Sequence, residues 1–448
     1  ALAQEVLGTS SSVQDHSRGS LCGPQRTWLN ISFRLAQPRP LHPQKAALQV
    51  VLSRGPESMA AQTAITLPVP EFLVIGDAFL DVQCGGLAQL PRWDADELVP
   101  RPIEFLAGGG GLNTACHLAR AGRRVELRCA LGDDDAGAKL RSAAANAGVV
   151  VVPLAAPAGA ATGVCIVLSG QSDRAFATHR GAVAVAGLSD ADIERAREVG
   201  ARGGHVHVAG YYNMPAVRAR VGELFRAVRE AGGSSSLNPQ WDADERWDGI
   251  CELSVAAGTA PGVLICSYSE MLQLATCDVV TRLHGTTITE GPRLDFDQSG
   301  QQSLRQRLDA GRARFQQGVR QLLDAGRARC VVVTHGENPA RALSCDDERL
   351  ACAVPPDLEP DALVDATGAG DAFAAGFLTK FAVRDPSIDL DDALRTGCAY
   401  GAACCGVVGA SAALDPSRVA AYAREIVPSP GQQGPVSWSA RPRRPPSQ

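Results

Sequence analysis

The sequence predicts an α/β protein built on a parallel sheet covered by helices, with a small second sheet at one side. Three observations predict it. Apolar runs of strand length alternate with helix-patterned segments from Phe72 to about Ile426, and strands alternating with helices pack as parallel sheets. Two glycine-rich turns run straight into helices, at Ala107–Gly111 and at Asp365–Asp371. Two stretches break the alternation, residues 82 to 107 and 162 to 182, and together form a candidate lid.

Residues 1 to 70 are rich in Ser, Pro, Gln and Arg, poor in acids, and without helical or strand periodicity, so they read as an unfolded extension. The first methionine is Met59, which leaves open whether residues 1 to 58 are expressed. A transit peptide and wrongly joined upstream sequence would share this composition. The first strand is Phe72–Ile75, ending in Gly76-Asp77. Helices are expected at Leu112–Ala121, Ala136–Ala147, Ala216–Ala231, Ala313–Ala325, Ala372–Ala382 and Leu390–Val407, with strands at Val125–Ala130, His205–Ala209, Ser235–Asn238, Val263–Cys266 and Cys330–Thr334. Val164–Leu168 and Arg174–His179 suggest a hairpin around Gly170. An insertion is expected near 278 to 306, and residues 428 to 448, rich in Pro, Gly, Ser, Gln and Arg, read as a tail.

Composition excludes several classes of function. Of 448 residues, 45% are hydrophobic and 20% charged, as in a globular protein with ample core. A net charge of −5 argues against nucleic acid or an anionic membrane as partner. Gly148–Leu168, the longest apolar stretch, is broken by Pro153 and Pro157 and cannot form an uninterrupted membrane helix. The fourteen cysteines are scattered through apolar segments with no Cys-x-x-Cys pair, a pattern of buried reduced thiols rather than structural zinc. His205 and His207 alternate on one strand, but without a neighbouring carboxylate they read as packed residues.

The most specific motif is Asp365-Ala-Thr-Gly-Ala-Gly-Asp371. Backbone N–H groups of Gly368, Ala369 and Gly370, at the positive end of a helix dipole, would form a nest for a phosphoryl group. Asp371, in the first turn, could then take a proton from an attacking hydroxyl. An Asp-capped helix after a Gly turn needs no function; the second glycine element, Gly108-Gly-Gly-Gly111-Leu-Asn113, tips the balance, because such a run lets a ligand approach the backbone.

This pair of motifs resembles the two signatures of the ribokinase-like (PfkB) carbohydrate kinase family over about residues 71 to 427. The resemblance implies a doubly wound, mostly parallel α/β sheet with helices on both faces and a small β-sheet lid, and transfer of the γ-phosphate of ATP, with Mg²⁺, to a sugar hydroxyl. It implies Asp371 as base and Gly368, Ala369 and Gly370 as anion hole. Asp81, Gly109, Asn113 and Tyr211 match substrate positions. Thr334, Gly336 and Ser267 match nucleotide positions, Glu270 would order Mg²⁺ through water, and Asp365 with Thr367 resembles a monovalent-cation (K⁺) loop. Gly132–Gly137 matches a family turn and reads as a helix cap. The chain departs from the family at Ser267, which replaces the Asn of Asn-x-x-Glu, at Phe79, and at Gly110, where a lysine is common.

The reading is therefore a sugar kinase that forms a homodimer through its lid. The alternatives are a nucleoside kinase, with Phe79 and Tyr211 walling a base, and a kinase-like regulatory or scaffold protein without turnover, motivated by Ser267 and the insertion after Cys277. The expected compartment is the cytoplasm, or a plastid or mitochondrion if the leader is a transit peptide.

Overall fold

A computed structural model of the protein describes residues 69–94, 96–170, 174–276, 316–345, 347–359, 362–381 and 389–426. All but the last two residues of the expected leader, and the whole of the expected insertion and tail, lie outside the described residues. Among the described residues the main sheet has nine strands. In chain order its strands are β1 (Phe72–Gly76), β4 (Val125–Cys129), β5 (Val150–Pro153), β8 (His205–Ala209), β9 (Ser234–Asn238), β10 (Val263–Ser267), β11 (Cys330–His335), β12 (Asn338–Ser344) and β13 (Asp347–Ala353). The lid strands are β2 (Phe79–Leu87), β3 (Glu104–Gly108), β6 (Gly163–Gly170) and β7 (Arg174–His179).

Across the main sheet the order is β13-β12-β11-β10-β9-β8-β1-β4-β5. The strands from β11 to β5 in that order are mutually parallel, whereas β12 and β13 add antiparallel to one edge. The chain leaves β1 toward β4 and β5, then returns to build the other half from β8. The strand order therefore reverses at β1, and the carboxyl end of such a strand opens a crevice where ligands bind.

Strand β1 is buried along its whole length, and its alternating side chains feed two cores. Leu73 and Ile75 join Val206, Val208, Leu224 and Phe225 in one cluster. Phe72 and Val74 join Leu112, Leu127, Phe377 and Leu394 in the other. Side chains alternate across a strand, so a continuous apolar run with helices on both faces is the expected pattern for a buried parallel strand. Each fully buried Leu, Ile or Phe contributes about 1.5–3 kcal/mol relative to exposure.

Most expected elements are present, with local differences. Helix 216–231 is two pieces, Pro215–Arg218 and Val221–Glu230. At the break, Arg220 turns its guanidinium to Leu188 O, Asp190 and Glu223. The hairpin β12–β13 was not expected, because its mixed small and charged residues carry no clear alternation. A further helix, Asp190–Ala201, begins with a capping box in which Ser189 and Asp192 exchange side-chain bonds to each other's backbone. The Gly132–Gly137 turn is a cap: Asp134 accepts from Gly137 N at 2.7 Å and from Thr162 N at 2.8 Å. His205 and His207 are buried and hydrogen-bonded to Ser234 and Ser236. In the lid, β6 and β7 pair antiparallel and β2 pairs with both β3 and β6.

Candidate active site

Four carboxylates converge at the carboxyl end of β1. Asp77 follows the strand directly and is fully buried. Its Oδ1 accepts from Gly111 N at 3.0 Å, and its Oδ2 accepts from Asn213 Nδ2 at 2.7 Å. The helix Gly110–Arg120 begins at Gly109, which has no side chain to cap it, so Asp77 supplies the acceptor from across the sheet edge. That approach needs glycine on both sides. A Cβ on Gly76 would lie 2.4 Å from Gly111 Cα, and Gly109 adopts φ 95° with its Cβ position 2.7 Å from Ala78 Cα. Burial pushes the Asp77 carboxyl up to about 6, opposed by its hydrogen bonds and reinforced by the charge of Asp371.

Asp81 lies on the lid strand β2, over the glycine element. A Cβ on Gly108 would sit 2.0 Å from Asp81 Oδ2. Burial, followed by repulsion from Asp77, Asp371 and Asp365, pushes Asp81 up to about 7. The resemblance placed Asp81 and Gly109 together at a substrate subsite, and the structure brings both to this crevice.

Asp371 is buried in the first turn of the helix Ala369–Phe381. Its Oδ2 accepts from Asn113 Nδ2 at 2.8 Å and its Oδ1 from Gln240 Nε2 at 3.2 Å. Burial raises its carboxyl above the ordinary value, and the two amide bonds oppose that rise. Amide N–H groups can only donate, so they favour the ionised carboxylate that a base requires. The other amide atom of Asn113, Oδ1, is buried without a partner. Gly368 takes φ 79° against Ala410, while a Cβ on Gly370 would meet nothing within 4 Å. Space is thus open beside Gly370, whereas Ala369 N donates to Ala366 O at 3.3 Å.

Asp365 anchors the approach to this turn. Its Oδ1 accepts from Thr367 N at 2.9 Å, and its Oδ2 accepts from Gln83 Nε2 at 2.9 Å and Gly409 N at 3.4 Å. Gln83 belongs to β2, so the lid is tied directly to the Asp365–Asp371 turn. Thr367 Oγ1 is buried and unpartnered.

Thr334 and Ser267 are register partners at the ends of β11 and β10, on the same sheet edge. His335 stacks on Tyr268 at 4.4 Å, and Gly336 turns the chain with φ 55° beside open space. Ser267 and Glu270 form a capping box on the helix Tyr268–Thr276: Ser267 N donates to Glu270 Oε2 at 2.8 Å and Glu270 N to Ser267 Oγ at 3.3 Å. Burial raises the Glu270 carboxyl, with a smaller contribution from the charge of Asp371.

Tyr211 does not join this site. In the short helix Tyr211–Asn213 its ring turns into the core, beneath Arg218 at 5.1 Å. Asn213, two positions on, faces Asp77 instead. Phe79 is likewise core. Sequence reasoning also missed Asp77 and Gln240. An uncapped glycine helix facing Gly76-Asp77 was the available sign of the first; Gln240 has none, because it takes φ 57° without being glycine or asparagine.

A family model described as pfkB family carbohydrate kinase matches residues 74–257 and 303–417. No curated protein sequence gives a significant match. Among solved structures, Arabidopsis thaliana ribokinase complexed with ribose and ATP superposes with a TM-score of 0.56 at 21% identity, covering 80% of this chain and 99% of that one. Ribokinase from Cryptococcus neoformans var. grubii serotype A in complex with ADP gives 0.57 at 21% identity, with coverages of 77% and 96%. Fructokinase with bound ATP from Xylella fastidiosa gives 0.55 at 20% identity, with coverages of 79% and 98%. These likenesses establish the fold: a mostly parallel large sheet with helices on both faces and a small lid sheet.

Proposed function

Because this chain belongs to the pfkB family of carbohydrate kinases, we propose that it transfers the γ-phosphate of ATP to a sugar hydroxyl, with Asp371 as general base. The observation that carries the reading is the seating of Asp371: buried, both oxygens held by amides, at the mouth of the Gly368–Gly370 turn. Residues 71 to 427 form the kinase domain of this reading.

Asp81, and Asn113 through its unpartnered Oδ1, would hold the acceptor hydroxyls. Asp371 then accepts the proton as the hydroxyl oxygen attacks, a role worth roughly 10²–10⁴-fold in rate. The backbone at Gly370, beside open space in the first turn of its helix, would meet the charge that gathers on the transferring phosphoryl group. Thr334, Gly336 and Ser267 would support the nucleotide along the neighbouring strand ends. The lid, held by Gln83, would exclude water and limit idle ATP hydrolysis.

Mg²⁺ fits the donor set in the manner usual for phosphoryl transfer, where the ion keeps most of its waters and takes one or two protein carboxylates. Glu270 would hold one such water with Oε1, since the helix cap uses Oε2; the ion itself would neutralise phosphate charge. For K⁺ the fit is partial. Thr367 Oγ1 is a suitable unpartnered oxygen, but the Asp365 carboxylate already accepts three N–H groups, and no step depends on that ion.

The outward face of the lid supports a homodimer. Val82 pairs with Phe105 and with Ile166 across the sheet, and Phe105 and Ile166 are 51% and 41% exposed. This face is opposite the one carrying Asp81, and exposed apolar patches often mark interaction sites, which a second copy would cover. The buried Cys116, Cys129, Cys266 and Cys398 are free thiols, which favours a reducing compartment and the cytoplasmic placement.

The test is a coupled ADP-release screen across sugars and nucleosides, with Asp371→Ala as control. A sugar acceptor and loss of turnover in the variant are expected. Turnover that survives Asp371→Ala, or inactivity across the whole panel, would sink the reading; inactivity with retained partner binding would favour a scaffold. A nucleoside acceptor would shift the substrate class, although Phe79 and Tyr211 are core residues and do not wall a base.

A further inference from the structure

The loop after β9 holds a glutamine in an unusual place. Gln240 adopts φ 57°, a left-handed conformation seldom taken by residues other than glycine, asparagine and aspartate. The surrounding loop fixes it there. Gln240 N donates to Asn238 Oδ1 at 3.2 Å. Asp242, fully buried, accepts from the backbone N–H of Asp244 at 3.1 Å, Arg246 at 3.0 Å and Trp247 at 2.7 Å. Trp247 then packs edge-on against Tyr212 and Trp241. Strained backbone that its surroundings over-determine is often put to functional use.

The product of this construction is the position of one amide. Gln240 Nε2 stands 3.2 Å from Asp371 Oδ1, on the oxygen that Asn113 leaves free. The same amide fills the side-chain space of residue 110: a Cβ on Gly110 would fall 1.8 Å from Gln240 Nε2 and 3.2 Å from Asp371 Oδ1. Gly110 has no positive φ to explain it, so its missing side chain is accounted for by Gln240.

We propose that Gln240 is a positioning residue for Asp371, holding Oδ1 toward the acceptor, and that position 110 is glycine because the Gln240 amide occupies its place. The inference rests on the reading of Asp371 as base, and it adds a donor that the glycine motifs do not contain. With Asn113 on one oxygen and Gln240 on the other, the carboxylate plane is fixed by two elements of the fold. The longer bond is the one that can yield as the hydroxyl arrives, so Gln240 aims the base without sequestering it.

The test uses the full chain with Gln240→Ala, Gly110→Ala and the double variant. The first readout needs no substrate: urea unfolding at pH 5 and pH 8, in the native background and in Asp371→Asn. Removing the donor makes the ionised carboxylate less favourable, so Gln240→Ala should lower the folding constant at pH 8 relative to pH 5 by a further tenfold or so. In Asp371→Asn that extra pH dependence should vanish. The second readout is the pH profile of kcat with D-ribose and D-fructose as probe sugars. Gln240→Ala should lower kcat about tenfold and move the acid limb to higher pH with KM for ATP unchanged. Gly110→Ala should reproduce these effects by displacing the amide, and the double variant should be no worse than either single one. An unchanged pH dependence of stability in Gln240→Ala, or simply additive effects of the two substitutions, overturns the proposal. Turnover that survives Asp371→Ala would instead remove the base, leaving the stability comparison to judge the Gln240–Asp371 bond by itself.

Discussion

Asn113 Nδ2 donates to Asp371 Oδ2 at 2.8 Å, joining residues 258 positions apart in the chain. The two glycine-rich elements are thereby one device: the first presents an amide from the turn it opens, and the second presents the carboxylate that the amide orients. Asn113→Asp changes almost no volume and replaces the donor with a second carboxylate. Like charges at this distance cannot both ionise readily, so the variant should fold normally and lose about 100-fold in kcat at neutral pH, with partial recovery as pH rises. The pH profile of kcat on the best sugar of the panel checks this. A profile identical to the native one would place Asn113 outside the base's environment.

Much of this arrangement was legible because it is local. The Asp365–Asp371 turn carries its glycines, the buried Asp371 and its helix in consecutive residues, and β1 announces itself by an unbroken apolar run. What the sequence could not express is pairing through space. Asp77 reads as the last residue of a strand, since its task is set by the missing side chain of Gly109, 32 residues later. Tyr211 attracted a substrate role by its place after β8, but the tight turn Tyr211–Asn213 rotates it into the core and brings Asn213 round to Asp77. The Ser267-x-x-Glu270 pattern holds two meanings at once. It is a departure from a family motif and also a complete helix capping box, and the second is the one its hydrogen bonds describe.

Asp81 should cost stability where it helps catalysis. Its folded-state value of about 7 lies above the ordinary 3.8, so the folded protein keeps a proton that the unfolded chain releases between those values. Stability therefore falls as pH rises through that window, and the penalty is complete above it. Asp81→Asn should gain on the order of 3 kcal/mol at pH 8, gain almost nothing near pH 4, and lose most sugar phosphorylation. Urea unfolding at the two pH values measures the difference; an equal gain at both would mean that charge is not its source.

Ser236 carries more of the core than its size suggests. Its single hydroxyl meets His205 Nε2 and His207 Nδ1, each at 2.7 Å, so one group serves both rings. Burial pushes both histidines down to about 3. Their folded-state values lie below the unfolded 6.5, so this pair loses the protein stability as pH falls below that point. Ser236→Ala leaves two buried ring nitrogens short of a partner and should destabilise by about 2 kcal/mol, with kcat unchanged. Chemical denaturation at pH 7.5 reads it directly.

Glu270 can be split from its cap. Glutamine serves the third helical position of a capping box as well as glutamate does, and burial raises the Glu270 carboxyl, so Glu270→Gln should keep the cap and at neutral pH be no less stable than native. If the carboxylate orders a metal-bound water, the Mg²⁺ concentration for half-maximal turnover should rise about tenfold. An unchanged Mg²⁺ requirement would leave Glu270 with a structural role alone.

Gln83 offers a way to loosen the lid without touching the reacting groups. Its amide reaches from β2 to Asp365 Oδ2 at 2.9 Å, and Asp81 lies two residues away on the same strand face. The bond therefore couples the strand that would grip the sugar to the loop that delivers Asp371. Removing it costs one part-buried hydrogen bond of roughly 1 kcal/mol, too little to unfold the lid but enough to shift its open fraction several-fold. Gln83→Ala should raise KM for the sugar about fivefold, leave kcat within about twofold, and increase ADP released per sugar phosphorylated, because water enters a lid that closes less completely. Measuring ADP and sugar phosphate in the same reaction separates this from general damage: a misfolded enzyme would lose both together, whereas a loosened lid changes their ratio.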